Sequence, residues 1–193
     1  MAITKTVKKH CTINFVNSIL FDRYAGDNRT KLSPDQKLYV NKDHQIYLPA
    51  ENIFSFLTGT NTESAPKLLL DKREYKTICS AIQASIVINP EEILFLRKGK
   101  PIIFGGFTEE DGTFDPVSGA RVVYHVARLK DGIPNPKERP RLDPPLSLEF
   151  DLTIFPSSEL SIEMIDDLFI RGGAQLGLGT YRKRYGKFEF SWK

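Results

Sequence analysis

The sequence predicts a single α+β domain whose elements run strand, helix, strand, strand, helix, strand. Three observations carry that prediction. Apolar residues alternate at period two in VKKHCTINF (7–15), SLEFDLTIF (147–155) and KFEFSW (187–192). In REYKTICSAIQASI (73–86) and SSELSIEMIDDLFI (157–170) they recur instead at three- and four-residue steps, as on one face of a helix. A length of 193 residues with 40% hydrophobic content suits one packed core rather than a disordered chain.

Taken in order, residues 7–15 put Val7, Cys11, Ile13 and Phe15 on one side and Lys8, His10, Thr12 and Asn14 on the other, a strand with one buried face. Residues 21–36 are polar and turn-rich and read as a loop. Residues 37–49 read as two short strand pieces around Asn41-Lys42-Asp43. Pro49 and Gly59 punctuate a short helix between them. Residues 73–86 carry a stripe of Tyr75, Ile78, Cys79, Ile82 and Ile86. Strand-like pieces follow at 101–107 and 120–129, with TEEDGTFDPVSG as a loop or hairpin tip. Five prolines in DGIPNPKERPRLDPP (131–145) argue against a helix or a central strand there, and predict a stiff exposed connection. Residues 147–155 aim Leu148, Phe150, Leu152 and Ile154 inward. The helix at 157–170 is striped by Leu160, Met164, Ile165, Leu168 and Phe169, and the strand at 187–192 alternates Phe188, Phe190 and Trp192. With an inserted excursion at about 105–146, this order is that of a ferredoxin-like, RRM-like sandwich.

Composition narrows the function classes. No run of eighteen apolar residues exists to span a membrane, and MAITKTVKKHCTINF has no signal-peptide pattern, so a cytoplasmic protein is expected. Cys11 and Cys79 form neither a disulfide framework nor a metal cluster, and read as buried thiols in a reducing compartment. The formal net charge is only +3, but it is unevenly spread. Six basic residues against Glu189 put residues 171–193 at +5, which leaves −2 for the other 170. A positive field is thus concentrated at the carboxyl end, where a polyanion can bind.

That end contains GGAQLGLGTYRKRYGKFEF (172–190), with five glycines and four aromatics. A P-loop needs GxxxxGK[ST], and the Gly173–Gly177 spacing has no lysine after it. A dinucleotide fingerprint fails too, because Arg182 stands where a third glycine belongs and the order is helix then strand. The segment reads as a mobile loop between the last helix and the last strand. Gly172 and Gly173 would end the helix at positive φ, and Gly177 and Gly179 would let backbone approach a partner closely. Tyr181, Arg182, Lys183, Arg184, Tyr185 and Lys187 would supply charge for phosphates and rings for bases. An ordinary turn with a solvated basic strand is the alternative.

RGGAQLGLGTYRKRYGKFEF resembles the C-terminal glycine-rich loop of the RAMP superfamily, the RNA-binding subunits of CRISPR effector complexes. Gly172, Gly173, Gly177, Gly179 and Gly186 match in kind and order. IYLPAENIFSFL (46–57) resembles the entry to the first helix of the backbone-type subunits at Pro49 and Ile53, while Ala50, Glu51, Phe54 and Ser55 depart from it. The resemblance implies a subunit of antiviral defence, or a phage or other mobile-element relative. It would bind RNA or single-stranded DNA and assemble with itself or other subunits, with no cofactor, metal or membrane partner. Arg23 and Arg171 would join the glycine loop in the groove.

Three further features offer other chemistry. Some relatives cleave RNA with a histidine, and His44 precedes the first helix; a metal-independent endoribonuclease using His44 is therefore an alternative. His10 and His125 lack spaced partners for a metal or a triad. Glu109, Glu110, Asp111 and Asp115 cluster at one hairpin tip, which predicts a solvated tip rather than a metal site. Asp22 and Asp27 lie where one branch of the family places a cleaving aspartate. Glu149 and Asp151 on the outward strand face would repel phosphates, so the loop and the basic excursion (Lys137, Arg139, Arg141) are favoured instead. A structural or protein-interaction module without nucleic acid remains the other alternative.

Overall fold

The computed structural model of the chain describes residues 6–27, 29–60, 62–108, 112–128, 132 and 134–193. Its architecture is α+β with antiparallel sheets. The larger sheet has the order β10 (Phe188–Trp192), β1 (Val7–Phe15), β9 (Ser147–Ile154), β5 (Glu92–Arg97), β3 (Tyr47–Pro49). Two short strands complete it: β4 (Ile86–Asn89) pairs with the far end of β9, and β6 (Lys100–Pro101) pairs with β5. A second sheet is built from β2 (Ile19–Leu20), β8 (Pro134–Leu142) and β7 (Arg121–Arg128).

Period-two patterning places the core correctly. Cys11, Ile13 and Phe15 of β1, together with Leu148, Phe150, Leu152 and Ile154 of β9, are buried on one face. Helices cover that face: α2 (Ala50–Thr58), α3 (Ala65–Leu69), α4 (Tyr75–Ser85) and α5 (Ile162–Gln175), while α1 (Pro34–Lys37) is a single turn elsewhere. The α2–α5 contact is aromatic: Phe56 stacks on Phe169 at 5.8 Å, and Phe169 stacks on Phe190 at 4.2 Å. Each fully buried ring of this kind contributes about 1.5–3 kcal/mol through removal from water. Ser161 caps α5, its hydroxyl accepting from the Met164 N–H.

Four expectations need correction. The helix at 157–170 starts later, at Ile162, and does not stop at the glycine pair but runs on to Gln175. Ile86, expected to close the helix at 73–86, opens β4 instead, and residues 92–97 form β5; the alternation of Ile86 with Ile88 and of Ile93 with Phe95 is the available signal. Residues 101–107 contribute only the end of β6 and a bridge from Ile103 to Gln45. The proline-rich segment is no loose connection. Residues 134–142 form β8, the middle strand of the second sheet, paired with β7 along its length.

The prolines are tolerated because of their spacing. Pro134, Pro136 and Pro140 stand two or four residues apart, so their missing N–H groups all lie on one side of the strand. That side faces away from β7, since the Pro140 carbonyl accepts from the Phe21 N–H beyond β2. The intervening residues keep their donors for the β7 ladder.

Candidate functional site

The last helix passes into the last strand through residues 176–187, and this segment is not an open loop. Its backbone is tied to the short stretch that carries β2. Thr180 N–H donates to the Leu20 carbonyl at 2.9 Å, and Gly186 N–H to the Ser18 carbonyl at 2.8 Å. The Asn17 side chain donates to the Arg184 carbonyl and accepts from the Lys187 N–H, both at 2.8 Å. Leu176 and Leu178 are buried beneath. Because β2 also pairs with β8, the glycine segment and the β7–β8 hairpin lie on either side of one strand.

The glycines serve this packing. Gly172 and Gly173, expected to end the helix and meet a ligand, are buried within α5. A Cβ on Gly172 would meet Phe56 at 2.6 Å and Ala65 at 2.7 Å, and one on Gly173 would meet Phe188 at 2.6 Å. Helix termination belongs to Gly177, at φ +79°, whose N–H bonds the Gly172 carbonyl at 3.0 Å. Gly179 is also left-handed, and a Cβ there would lie 2.6 Å from the Leu20 carbonyl oxygen. The close approach that glycine permits is to the protein's own backbone.

Between Gly179 and Gly186, Lys183 and Arg184 are exposed, and half-buried Tyr181 and Tyr185 meet the hairpin in a defined cluster. The Tyr181 and Tyr185 rings lie 5.1 and 5.6 Å from the His125 ring of β7. His125 Nε2 is 3.3 Å from the Tyr185 hydroxyl. The Arg139 guanidinium of β8 lies over Tyr181 at 5.4 Å, and that of Arg184 over Tyr185 at 5.6 Å. Tyr181 and Lys183 hold φ of +58° and +69°, a conformation that costs a non-glycine residue about 1–3 kcal/mol. Burial, then the charges of Arg139, Arg184 and Arg141, push the His125 imidazolium below its usual range. Its Nδ1 is buried without a hydrogen-bond partner among the described residues. His125 is the residue that sequence reasoning passed over; its alternation with Val123 and Arg121 placed it on a face, but not beside the glycine segment.

The remaining candidates separate. Arg182 is an internal anchor: Nη1 donates to the Glu63 carbonyl at 2.6 Å and Nε to that of Gly179 at 3.2 Å, and burial lowers its pKa. Lys183 is 3.5 Å from the Glu63 carboxylate but half exposed. Arg171 pairs with Asp167 on the surface of α5 at 2.8 Å. Arg23 lies over the Tyr39 ring at 5.5 Å, in a different depression lined by Tyr24, Leu38 and Phe104. Lys187 is placed beside Asn17 by its backbone.

The acids and histidines sort likewise. Asp22 binds Arg139 at 3.1 Å and Lys37 at 3.8 Å, so it is a structural counter-ion. Asp27 accepts from the Thr30 hydroxyl and from the backbone of Thr30 and Arg29 and closes a turn, and these bonds hold its carboxyl below the usual range. Asp115, expected at a solvated tip, is buried; it accepts from Gly105, Val117 and Ser118 and organises the loop before β7. Glu109, Glu110 and Asp111 lie outside the described residues. His44 occupies an exposed turn at φ +58°, its N–H bonded to the Asn41 carbonyl. His10 is 2.8 Å from Asp151 on the outer sheet face. Among the described residues no helix is long and apolar enough to cross a membrane. No protein-family model matches the chain, and no curated protein matches it.

Proposed function

We propose that the protein is a non-catalytic nucleic-acid-binding subunit of RAMP type, which grips single-stranded RNA, or single-stranded DNA, at the junction of the glycine segment and the β7–β8 hairpin. The observation that carries this reading is the convergence there of Tyr181, Arg184 and Tyr185 with His125 and Arg139, from parts of the chain far apart in sequence. Clustered aromatic rings with guanidiniums beside them suit bases and phosphates without reading sequence. Two left-handed residues in the same segment support it, since such strain clusters at working sites. Within this proposal the contact is made by side chains, with Arg184 and Lys183 on phosphates and Tyr181 and Tyr185 on bases; the amides of Gly177 and Gly186 are occupied internally.

The ferredoxin-like reading belongs to the same proposal. It is supported by the antiparallel order β10-β1-β9 followed by β4 and β5, with the helices between β1 and β4 and between β9 and β10 packed on one face. Assembly along the strand is part of it too. The outward hairpin face leaves Tyr124 64% and Val126 50% exposed, available to a neighbouring subunit. Binding of labelled single-stranded RNA and DNA across a salt series tests the function. Affinity should fall steeply with salt, with a slope of about 0.7 per phosphate contacted. Affinity that is insensitive to salt, or equal in a Lys183→Ala/Arg184→Ala variant, defeats it. Sedimentation with and without bound RNA tests assembly.

A further inference from the structure

The inward face of the hairpin carries charge beyond the tyrosine cluster. In the β7–β8 register Arg121 stands directly opposite Arg141, Val123 opposite Arg139 and His125 opposite Lys137. Opposed residues on one face place their Cβ atoms about 5 Å apart, and like charges so placed destabilise a sheet unless something neutralises them. Two of the three arginines are neutralised. Arg141 donates through Nη2 to Asp143 at 3.0 Å, with Nε 2.9 Å from the same carboxylate but not aligned to bond it, and Arg139 is held by Asp22. Arg121 contacts the Phe114 ring at 5.3 Å and pairs with no carboxylate among the described residues.

The place is also shaped. Arg121, Arg141, Val123 and Phe114 line one depression at the base of the hairpin. It lies four residues along β7 from His125, about 13 Å at strand rise. Arg97 donates to the Ser118 carbonyl at 2.6 Å and the Asp143 carbonyl at 3.2 Å, which ties the backbone of Arg141's partner to the loop before β7. Ser18 Oγ donates to Asp143 at 2.6 Å and fixes the carboxylate on the Arg141 side.

We infer that the Arg121–Arg141 pair is a phosphate-binding site, in which a phosphate group bridges the two guanidiniums. A guanidinium fork matches phosphate geometry, and charge-assisted bonds of this kind are among the strong ones. The inference does not depend on the tyrosine cluster binding RNA. The phosphate is that of a free anion or nucleotide, or a diester of a nucleic-acid backbone.

The test is a titration of the isotope-labelled full-length protein, followed by NMR at the arginine Nε–H resonances, at fixed ionic strength. One arm uses inorganic phosphate, the other a short single-stranded oligonucleotide without a terminal phosphate. Saturable shifts at Arg121 and Arg141 are expected in at least one arm, and the responding arm identifies the source. Arg121→Ala should weaken that binding about tenfold or more, with a Tm of the free protein no lower than the parent's, since one of two opposed like charges is removed. Arg121→Lys should recover only part, since the ammonium lacks the fork. Lys183→Ala/Arg184→Ala should leave the phosphate arm intact, which separates this site from the tyrosine cluster. Absence of saturable shifts in both arms, or binding undiminished in Arg121→Ala, overturns the inference.

Discussion

On the uncovered face of the larger sheet, Thr12 lies opposite Glu149 and His10 opposite Asp151; on the inward face of the hairpin, Arg121 lies opposite Arg141 and His125 opposite Lys137. Both are strand surfaces without a helical cover, and each has a histidine. On the sheet, His10 sits between carboxylates 2.8 and 3.9 Å away. On the hairpin, His125 sits among arginines that disfavour its charged form. The comparison teaches that the surface suited to a polyanion is chosen by cross-strand partners rather than by strand architecture. An open sheet face lined by Glu149, Asp151 and Glu189 disfavours phosphates, whereas along the described hairpin and glycine segment basic side chains outnumber carboxylates.

The largest expected effect breaks the hairpin side by detaching the glycine segment. A Cβ on Gly186 would collide with the Leu178 carbonyl, at a φ of +72°. Gly186→Ala should cost more than about 3 kcal/mol, read as a large drop in Tm, because neither strain nor clash can be relieved. A stable variant would show that the segment is not seated on β2 as described.

Next in size is Arg139→Ala. It removes a buried guanidinium from Asp22 and from the Tyr181 ring. The expected loss is about 2–4 kcal/mol by chemical denaturation, since Asp22 is left with Lys37 alone at 3.8 Å. Asp22→Asn in the same background should restore part of it.

Lys183→Ala/Arg184→Ala should leave folding within about 0.5 kcal/mol and weaken single-strand binding about tenfold, with a salt slope lower by about 1.4. The matching change on the sheet side, Lys8→Ala/His10→Ala, should alter affinity less than about twofold. Equal losses from both pairs would erase the contrast between the two surfaces.

The smallest expected effect is a pH dependence. Because the folded pKa of His125 is depressed, the unfolded chain binds more protons below the ordinary histidine value of 6.5. Stability therefore falls as pH drops through that value, and levels off below the folded pKa. A bound phosphate reverses the balance by favouring the imidazolium. Affinity for nucleic acid should rise a few-fold, about 2–5 times, between pH 7.5 and 5.5. The rise should vanish in His125→Gln and persist in His10→Ala.

Much of the fold was legible residue by residue. Strands 7–15 and 147–155 announced their buried sides through strict alternation, and the helix at 73–86 through its Ile78–Cys79–Ile82 stripe. The hairpin was not legible, because proline counts argue against a strand unless one knows which side of it is paired. The candidate site was half visible. Tyr181, Arg184 and Tyr185 stood out by composition, while His125 and Arg139 became their neighbours only through β2, a two-residue strand too short to leave a pattern.

The amino-acid order alone determined which sides of strands 7–15 and 147–155 enter the core, that helices form within 73–86 and 157–170, and that positive charge gathers near residue 180. These follow from local periodicity and from formal charge, which need no partner to be defined. Tertiary structure decided the rest: whether Arg182 is a ligand hand or an anchor on Glu63, and whether Gly179 yields space to a nucleic acid or to the carbonyl of Leu20. It also decided which arginines keep a counter-ion. The physical reason is that a glycine or a guanidinium takes its role from the atoms a few ångströms away, and for Arg182, Gly179 and Arg139 those atoms belong to Glu63, Leu20 and Asp22, more than a hundred positions distant.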